Sequence, residues 1–240
     1  MIDIKNLHMD YGNGKGVSDI NLSIKPGEVK GLLGPNGSGK STTMRSYLGF
    51  LKIQDGRCYA NGVDILSDPT QAKNFIGYLP GDPQLPQNMT PRVLFSISSN
   101  VRSVSTDYAN ELSEAFDLDA SIKVKELSKG NRQKAALILA LLHKPKVIVL
   151  DEPTSGLDPF HQRTFFELID TLATSGSSIL LSSHIVTEIE KVSSSIAVLK
   201  DGKKIYDNSL NNFKSESEAK GMNIEEAFFD FFKREGANNV

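Results

Sequence analysis

Cysteine is nearly missing from this chain: Cys58 is the only one in 240 residues. One thiol makes no intrachain disulfide and no cysteine metal cage, which fits a reducing compartment and leaves Cys58 as an ordinary half-buried side chain. A dominant charge is also missing. With 27 Lys and Arg against 29 Asp and Glu, the formal charge is −2, so no basic field calls for nucleic acid and no polybasic run for anionic lipid. The longest apolar run, "AALILALL" from Ala135 to Leu142, falls far short of the roughly 20 residues that cross a bilayer. Any work at a membrane therefore needs a partner. The first residues, "MIDIKNLHMDYG", alternate apolar and polar side chains instead of forming the apolar stretch of a signal peptide. There is no internal repeat.

What is present suffices for one sizeable core with a smaller subdomain, at 39% hydrophobic residues. "IDIKNLHMDY", "GVSDINLSI" and "RCYANGVDI" are divided by glycine and asparagine turns and predict an antiparallel sheet. "VKGLLG", "IGYLP", "VIVLD" and "SILLSS" are continuous apolar runs, each followed by a loop or a helical pattern, as buried parallel strands are. Between Thr90 and His143 the pattern is helical, so a helical insertion interrupts the parallel sheet. Residues 208–221 are rich in Asn, Ser, Lys and Glu and predict a loop. "NIEEAFFDFFKRE" then predicts a helix whose Phe228, Phe229, Phe231 and Phe232 form a wide apolar face packed on its own domain. The expected division is one domain over 1–240, with a core in 1–85 and 144–207, a helical subdomain in 86–143 and a C-terminal loop and helix in 208–240.

"GLLGPNGSGKSTTM" follows a strand, opens a helix and matches G-x-x-x-x-G-K-[ST] over residues 34–41. Glycines let successive N–H groups curl around an anion, and the helix N-terminus adds its positive end. Gly34, Pro35, Asn36, Gly37, Ser38, Gly39 and Thr42 belong to this cradle. Lys40 supplies a full charge to the terminal phosphates and Ser41 a hydroxyl to Mg²⁺. "VIVLDEP" carries Asp151 and Glu152 to a strand end, where ligands collect in open α/β sheets. Asp151 is placed to hold the metal and Glu152 to take a proton from the attacking water. His184, ending "SILLSSH", lies at a strand end of the same sheet, which favours a bond to the γ-phosphate over a purely structural role. In "LSKGNRQK", Ser128 precedes a helical run and is an N-cap by its spacing.

Taken in order, "GPNGSGKST", "LSKGNRQK", "VIVLDEP", "SGLD" and "SSH" resemble the ATP-binding subunit of an ABC transporter over nearly the whole chain. The resemblance implies an α/β, P-loop NTPase core with a mainly parallel sheet, an N-terminal antiparallel β subdomain and a helical insertion. It implies that Tyr11 stacks on adenine, that "SGLD" with Asp158 is the D-loop, that Glu152 and His184 are catalytic, and that ATP and Mg²⁺ are the cofactors. It further implies that Ser128 and Gly130 bind the γ-phosphate of ATP held by a second copy or a paralogous subunit. Such a subunit works in the cytoplasm, on the inner face of the membrane, driving a separate transmembrane permease, in the branch that exports.

Two departures stand out. Lys129 and Asn131 replace a glycine and a glutamine of the family's LSGGQ. In "IGYLPGDPQLPQ" Gly81 occupies the place of a glutamine near the metal, with Asp82 and Gln84 both open as substitutes. Soluble relatives that act on ribosomes or DNA carry two nucleotide domains or a long coiled coil, and this sequence has neither. A kinase or GTPase would share only residues 34–41, and the guanine-reading N-K-x-D is absent.

Overall fold

A computed structural model describes residues 1–12 and 14–237. Strands β1 (Ile2–Gly12) and β2 (Lys15–Ile24) form a hairpin, and β3 (Val29–Leu33) leads into helix α1 (Lys40–Tyr47). Next come β4 (Asp55–Ala60), β5 (Val63–Asp64), α2 (Pro69–Asn74) and β6 (Ile76–Leu79). The helices α3 (Pro91–Arg102), α4 (Asp107–Ala115) and α5 (Lys129–Leu141) follow without a strand between them. The chain re-enters a sheet through β7 (Val147–Asp151), α6 (Pro159–Thr174), β8 (Ser178–Ser183), α7 (Val186–Val192), β9 (Ser195–Lys200) and β10 (Lys203–Ser209). It finishes with α8 (Leu210–Glu218) and α9 (Ile224–Ala237).

The sheets have different logic. One is antiparallel, in the order β2-β1-β4-β5. The other runs β10-β9-β3-β8-β7-β6, parallel from β9 to β6 with β10 added antiparallel at the edge. Alternate residues along its central strands enter different cores. Ile148, Leu150, Ile179, Leu181, Ile196 and Val198 face the helices, whereas Val147, Val149, Leu180, Ala197 and Leu199 pack toward α1 and the antiparallel sheet. Because both faces are covered, every residue of β3, β7 and β8 is buried, which is why these strands read as continuous apolar runs.

Three expectations change. Residues 208–221 are not a loop: β10 continues to Ser209, whose hydroxyl accepts from Asn212 N at 3.1 Å and caps α8. Leu210, Phe213 and Ser217 of α8 are buried, a helical spacing hidden in the sequence by the polar residues between them. Cys58 is fully buried, and burial pushes its thiol pKa up to about 12. The phenylalanine face of α9 is split: Phe228 and Phe232 join the main core, while Phe229 is 57% exposed. The side chain of Phe231 and residues 238–240 lie outside the described residues. No helix among the described residues is long and apolar enough to cross a membrane.

Candidate active site

The C-terminal ends of three neighbouring strands, β3, β8 and β7, converge on one cleft. Pro35, Asn36, Gly37, Gly39, Lys40, Ser41 and Thr42 line it from the loop after β3. Asp151 and Glu152 enter from β7 and His184 from β8, and the cavity measures about 500 Å³. Parallel pairing brings residues distant in the chain together: Leu33 lies opposite Ser183, and Asp151 opposite Ser182.

The loop is shaped for an anion. Gly39, at φ 104°, is the N-cap of α1 and leaves the helix with no side-chain cap. The opening N–H groups of α1 thus face the cleft without an internal partner. A Cβ at Gly39 would stand 2.7 Å from Val17 Cγ1, so a larger residue there would combine a strained positive φ with a shifted Val17 side chain. Lys40 is 6% exposed and donates to Gly34 O at 2.7 Å and Pro35 O at 3.3 Å. Burial lowers its pKa, while the charges of Glu152 and Asp151 oppose that shift.

The carboxylates are held by groups that motif reading missed. Ser182 Oγ donates to Asp151 Oδ1 at 2.6 Å and accepts from Glu152 N at 3.0 Å, so one hydroxyl fixes both residues. Glu152 sits in the left-handed region at φ 49°, a cost of order 1–3 kcal/mol for a non-glycine residue, concentrated at functional sites. Its Oε2 meets His184 Nδ1 at 2.8 Å and its Oε1 lies 3.8 Å from Lys40 Nζ. Gln133 of α5 donates to Pro153 O at 3.1 Å, tying the turn after Glu152 to the helical part. Thr154 and Ser183 both donate to buried Glu188. Arg45 lines the cleft as a second cation beside Lys40. Sequence signals for these residues are faint: Ser182 and Ser183 lie within "SSH" and Gln133 within "LSKGNRQK" without a role read for them, and Thr154, Glu188 and Arg45 lie in no motif.

The donor set suits a hard divalent ion. Ser41 and Asp151 offer oxygen only, and Asp151 Oδ2 is free of Ser182. A methyl group added at Gly81 would stand 3.6 Å from that oxygen, so Gly81 leaves the metal side of the cleft open. Among the described residues no three His, Cys, Asp or Glu side chains form a metal cage. A hydroxyl and a carboxylate suit Mg²⁺, which usually fills the rest of its shell with waters and substrate phosphate oxygens. Of the two open substitutes at the Gly81 loop, Asp82 lines the cleft, and Gln84 donates to Asp82 Oδ2 at 2.9 Å without lining it.

Other predicted residues stand elsewhere. Ser38 is buried, and Gly34 borders an adjacent cavity. Tyr11, 57% exposed at the end of β1, does not line the cleft. Asp158 caps α6, accepting from Phe160 N and His161 N and meeting His161 Nδ1 at 2.6 Å. Ser128 caps α5, its Oγ accepting from Asn131 N at 3.1 Å, and neither Ser128 nor Gly130 lines the cleft. Gly130 packs so closely that an added Cβ would stand 2.5 Å from Gly156 O.

A family model described as "ABC transporter" matches residues 17–155. The chain is 35% identical over 230 residues to the ABC transporter ATP-binding protein YhaQ of Bacillus subtilis, covering 93% of this chain and 76% of that protein. It is 33% identical over 210 residues to the Nod factor export ATP-binding protein I of Burkholderia orbicola, covering 85% and 69%. A solved "ATP binding subunit of ABC transporter" superposes with a TM-score of 0.89 at 25% identity, covering 97% of this chain and 99% of that one. A dimeric bacterial ABC transporter cassette shares the fold, with a TM-score of 0.77 at 24% identity over 88% and 99%.

Proposed function

The chain belongs to the ABC transporter family, and from that premise we propose that two copies clasp ATP head to tail and drive a separate transmembrane permease. The chain is an ATP-binding subunit and an ATPase. The observation that carries the finer reading is the uncapped start of α1, opening into the same cleft as buried Lys40, Asp151 and Glu152. Residues 34–42 cradle the phosphates, and Lys40 turns from the carbonyls of Gly34 and Pro35 to the terminal phosphate. Ser41 and Asp151 would hold Mg²⁺, which would screen the phosphate charge.

Glu152 accepts the proton of the attacking water, and its strained backbone fixes where its carboxylate can be. His184 has a chemical constraint. A neutral ring giving its Nδ1–H to Glu152 keeps only an acceptor at Nε2, so donating to a phosphate oxygen as well takes the doubly protonated ring.

Ser128 and Gly130 do not line their own cleft, which leaves them free to close that of a second copy. The permease docks beside Tyr78, Pro83, Arg102 and His143, around a cavity of about 370 Å³ between β6 and the helical part. Docked on that permease, the chain works at the cytoplasmic face of the membrane. The direction is export, supported by the Nod factor export relative.

The test is Glu152→Gln, which keeps the side chain's size and removes its basicity. Hydrolysis is expected to fall about 10²- to 10⁴-fold, ATP to remain bound, and the mass in solution with ATP and Mg²⁺ to double. Adding Ser128→Arg restores the monomer mass. A dimer that survives Ser128→Arg removes the head-to-tail arrangement.

A further inference from the structure

Beside the cleft lies a second cavity, about 410 Å³ and almost wholly apolar, which the ATPase reaction leaves unused. Its walls are Pro35, Asn36 and His184 on one side and Phe228, Phe229 and Phe232 of α9 on the other. It shares Pro35, Asn36 and His184 with the phosphate cleft, so the two open on one continuous face. The aromatic wall is held in place: the Phe228 and Phe232 rings are 4.9 Å apart, and Lys200 Nζ donates to Phe232 O at 3.0 Å. Phe229 remains 57% exposed at the rim.

A second apolar feature is also unpartnered. Phe160, two residues past Asp158, is 71% exposed. Its ring meets the edge of His161, with centroids 5.4 Å apart, and the Asp158 cap fixes the helix start that carries it. Contacts link Phe160 to the start of α5 that carries Ser128. The turn before it is locked to the start of α5 by the Gly130–Gly156 approach and by Gln133 on Pro153.

We infer that Phe160 of one copy seats in the Phe228–Phe229–Phe232 cavity of the other when ATP closes the dimer. The inference rests on the head-to-tail reading: once Ser128 and Gly130 stand over the opposite cleft, the unit carrying Phe160 lies over the face on which that cavity opens. Continuity and chemistry single out this occupant. An exposed aromatic ring and an empty aromatic-walled cavity meet along the edge of one interface, and two-fold symmetry makes the contact twice. Seating covers the outer side of His184, so the apolar anchor closes over the reacting groups.

The experiment uses the full chain carrying Glu152→Gln. Phe160→Cys and Phe229→Cys are combined, at a protein concentration high enough to keep the dimer formed without the Phe160 rings, and treated with a short bismaleimide; Cys58, fully buried, stays out of the reaction. The expected result is a covalent dimer with ATP and Mg²⁺ in far higher yield than from either single cysteine, and little with ADP. In parallel, Phe160→Ala is expected to weaken the ATP dimer on the order of tenfold per contact, about a hundredfold for the pair, with single-chain ATP affinity unchanged. A Glu152→Gln dimer that dissolves with Ser128→Arg but ignores Phe160→Ala and gives no cross-link overturns the Phe160 contact and leaves the head-to-tail reading standing. Absence of any dimer overturns both.

Discussion

The starts of α1 and α5 are opposite solutions to the same problem. Each leaves backbone N–H groups without helical partners. At α1 a glycine in the left-handed region supplies no cap, and the exposed groups share a cleft with Lys40, Arg45 and two carboxylates. At α5 the Ser128 hydroxyl already serves Asn131 N, and Gly156 packs against Gly130 in that same first turn. A bare start beside a buried cation attracts an anion alone. A capped start carries only the partial charge of the helix end, worth a few tenths to about 1 kcal/mol when exposed, so it completes a site and does not create one. On the proposed head-to-tail reading, this difference is what lets one chain bind ATP while a second is needed to enclose it.

Removing the cation at α1 breaks the comparison hardest. Lys40→Ala is expected to weaken ATP binding on the order of 10²- to 10³-fold, because it strips the charge from the bare helix start. Nucleotide titration by calorimetry checks this, and unchanged affinity would show that the backbone alone holds the phosphates.

Ser182→Ala probes the support beneath the same cleft. One hydroxyl orients both Asp151 and the Glu152 backbone, so its loss is expected to cost about 10- to 100-fold in metal affinity in the presence of ATP. A Mn²⁺ titration followed by electron paramagnetic resonance reads this without turnover.

The smallest effect is expected at α5. Ser128→Ala removes the cap and costs about 1 kcal/mol, lowering the melting midpoint by roughly 2–4 °C. Single-chain ATP affinity is expected to stay the same. If affinity falls as well, the two helix starts are not independent.

Much of this was legible because it is local. The residues of 34–42, the Asp151–Glu152 pair and His184 carry their chemistry in short contiguous stretches, and apolar runs before each announce the strands that deliver them. Ser182 and Gln133 were not legible, since their roles depend on cross-strand register and on which turn of α5 meets Pro153. Arg45 escaped because it is an ordinary exposed helix residue until the cleft is assembled. The capping of α8 hid behind a composition typical of loops. Phe160 looked like any surface residue, because the cavity proposed to receive it is assembled from the phosphate loop, the end of β8 and phenylalanines more than sixty positions further along the chain.

The strand order also sets a timetable. β3, which carries the phosphate loop at its end, has all five residues buried and is paired on both sides by strands made much later. Val29 waits for Ile179, its partner 150 residues downstream. At a ribosome adding about 5–20 residues per second, that is roughly 8–30 s during which an apolar strand with two open edges has left the tunnel and found no neighbour. The loop for ATP is therefore among the first functional segments to be synthesised and among the last to acquire its shape, and any holding of the nascent chain in that interval falls on β3.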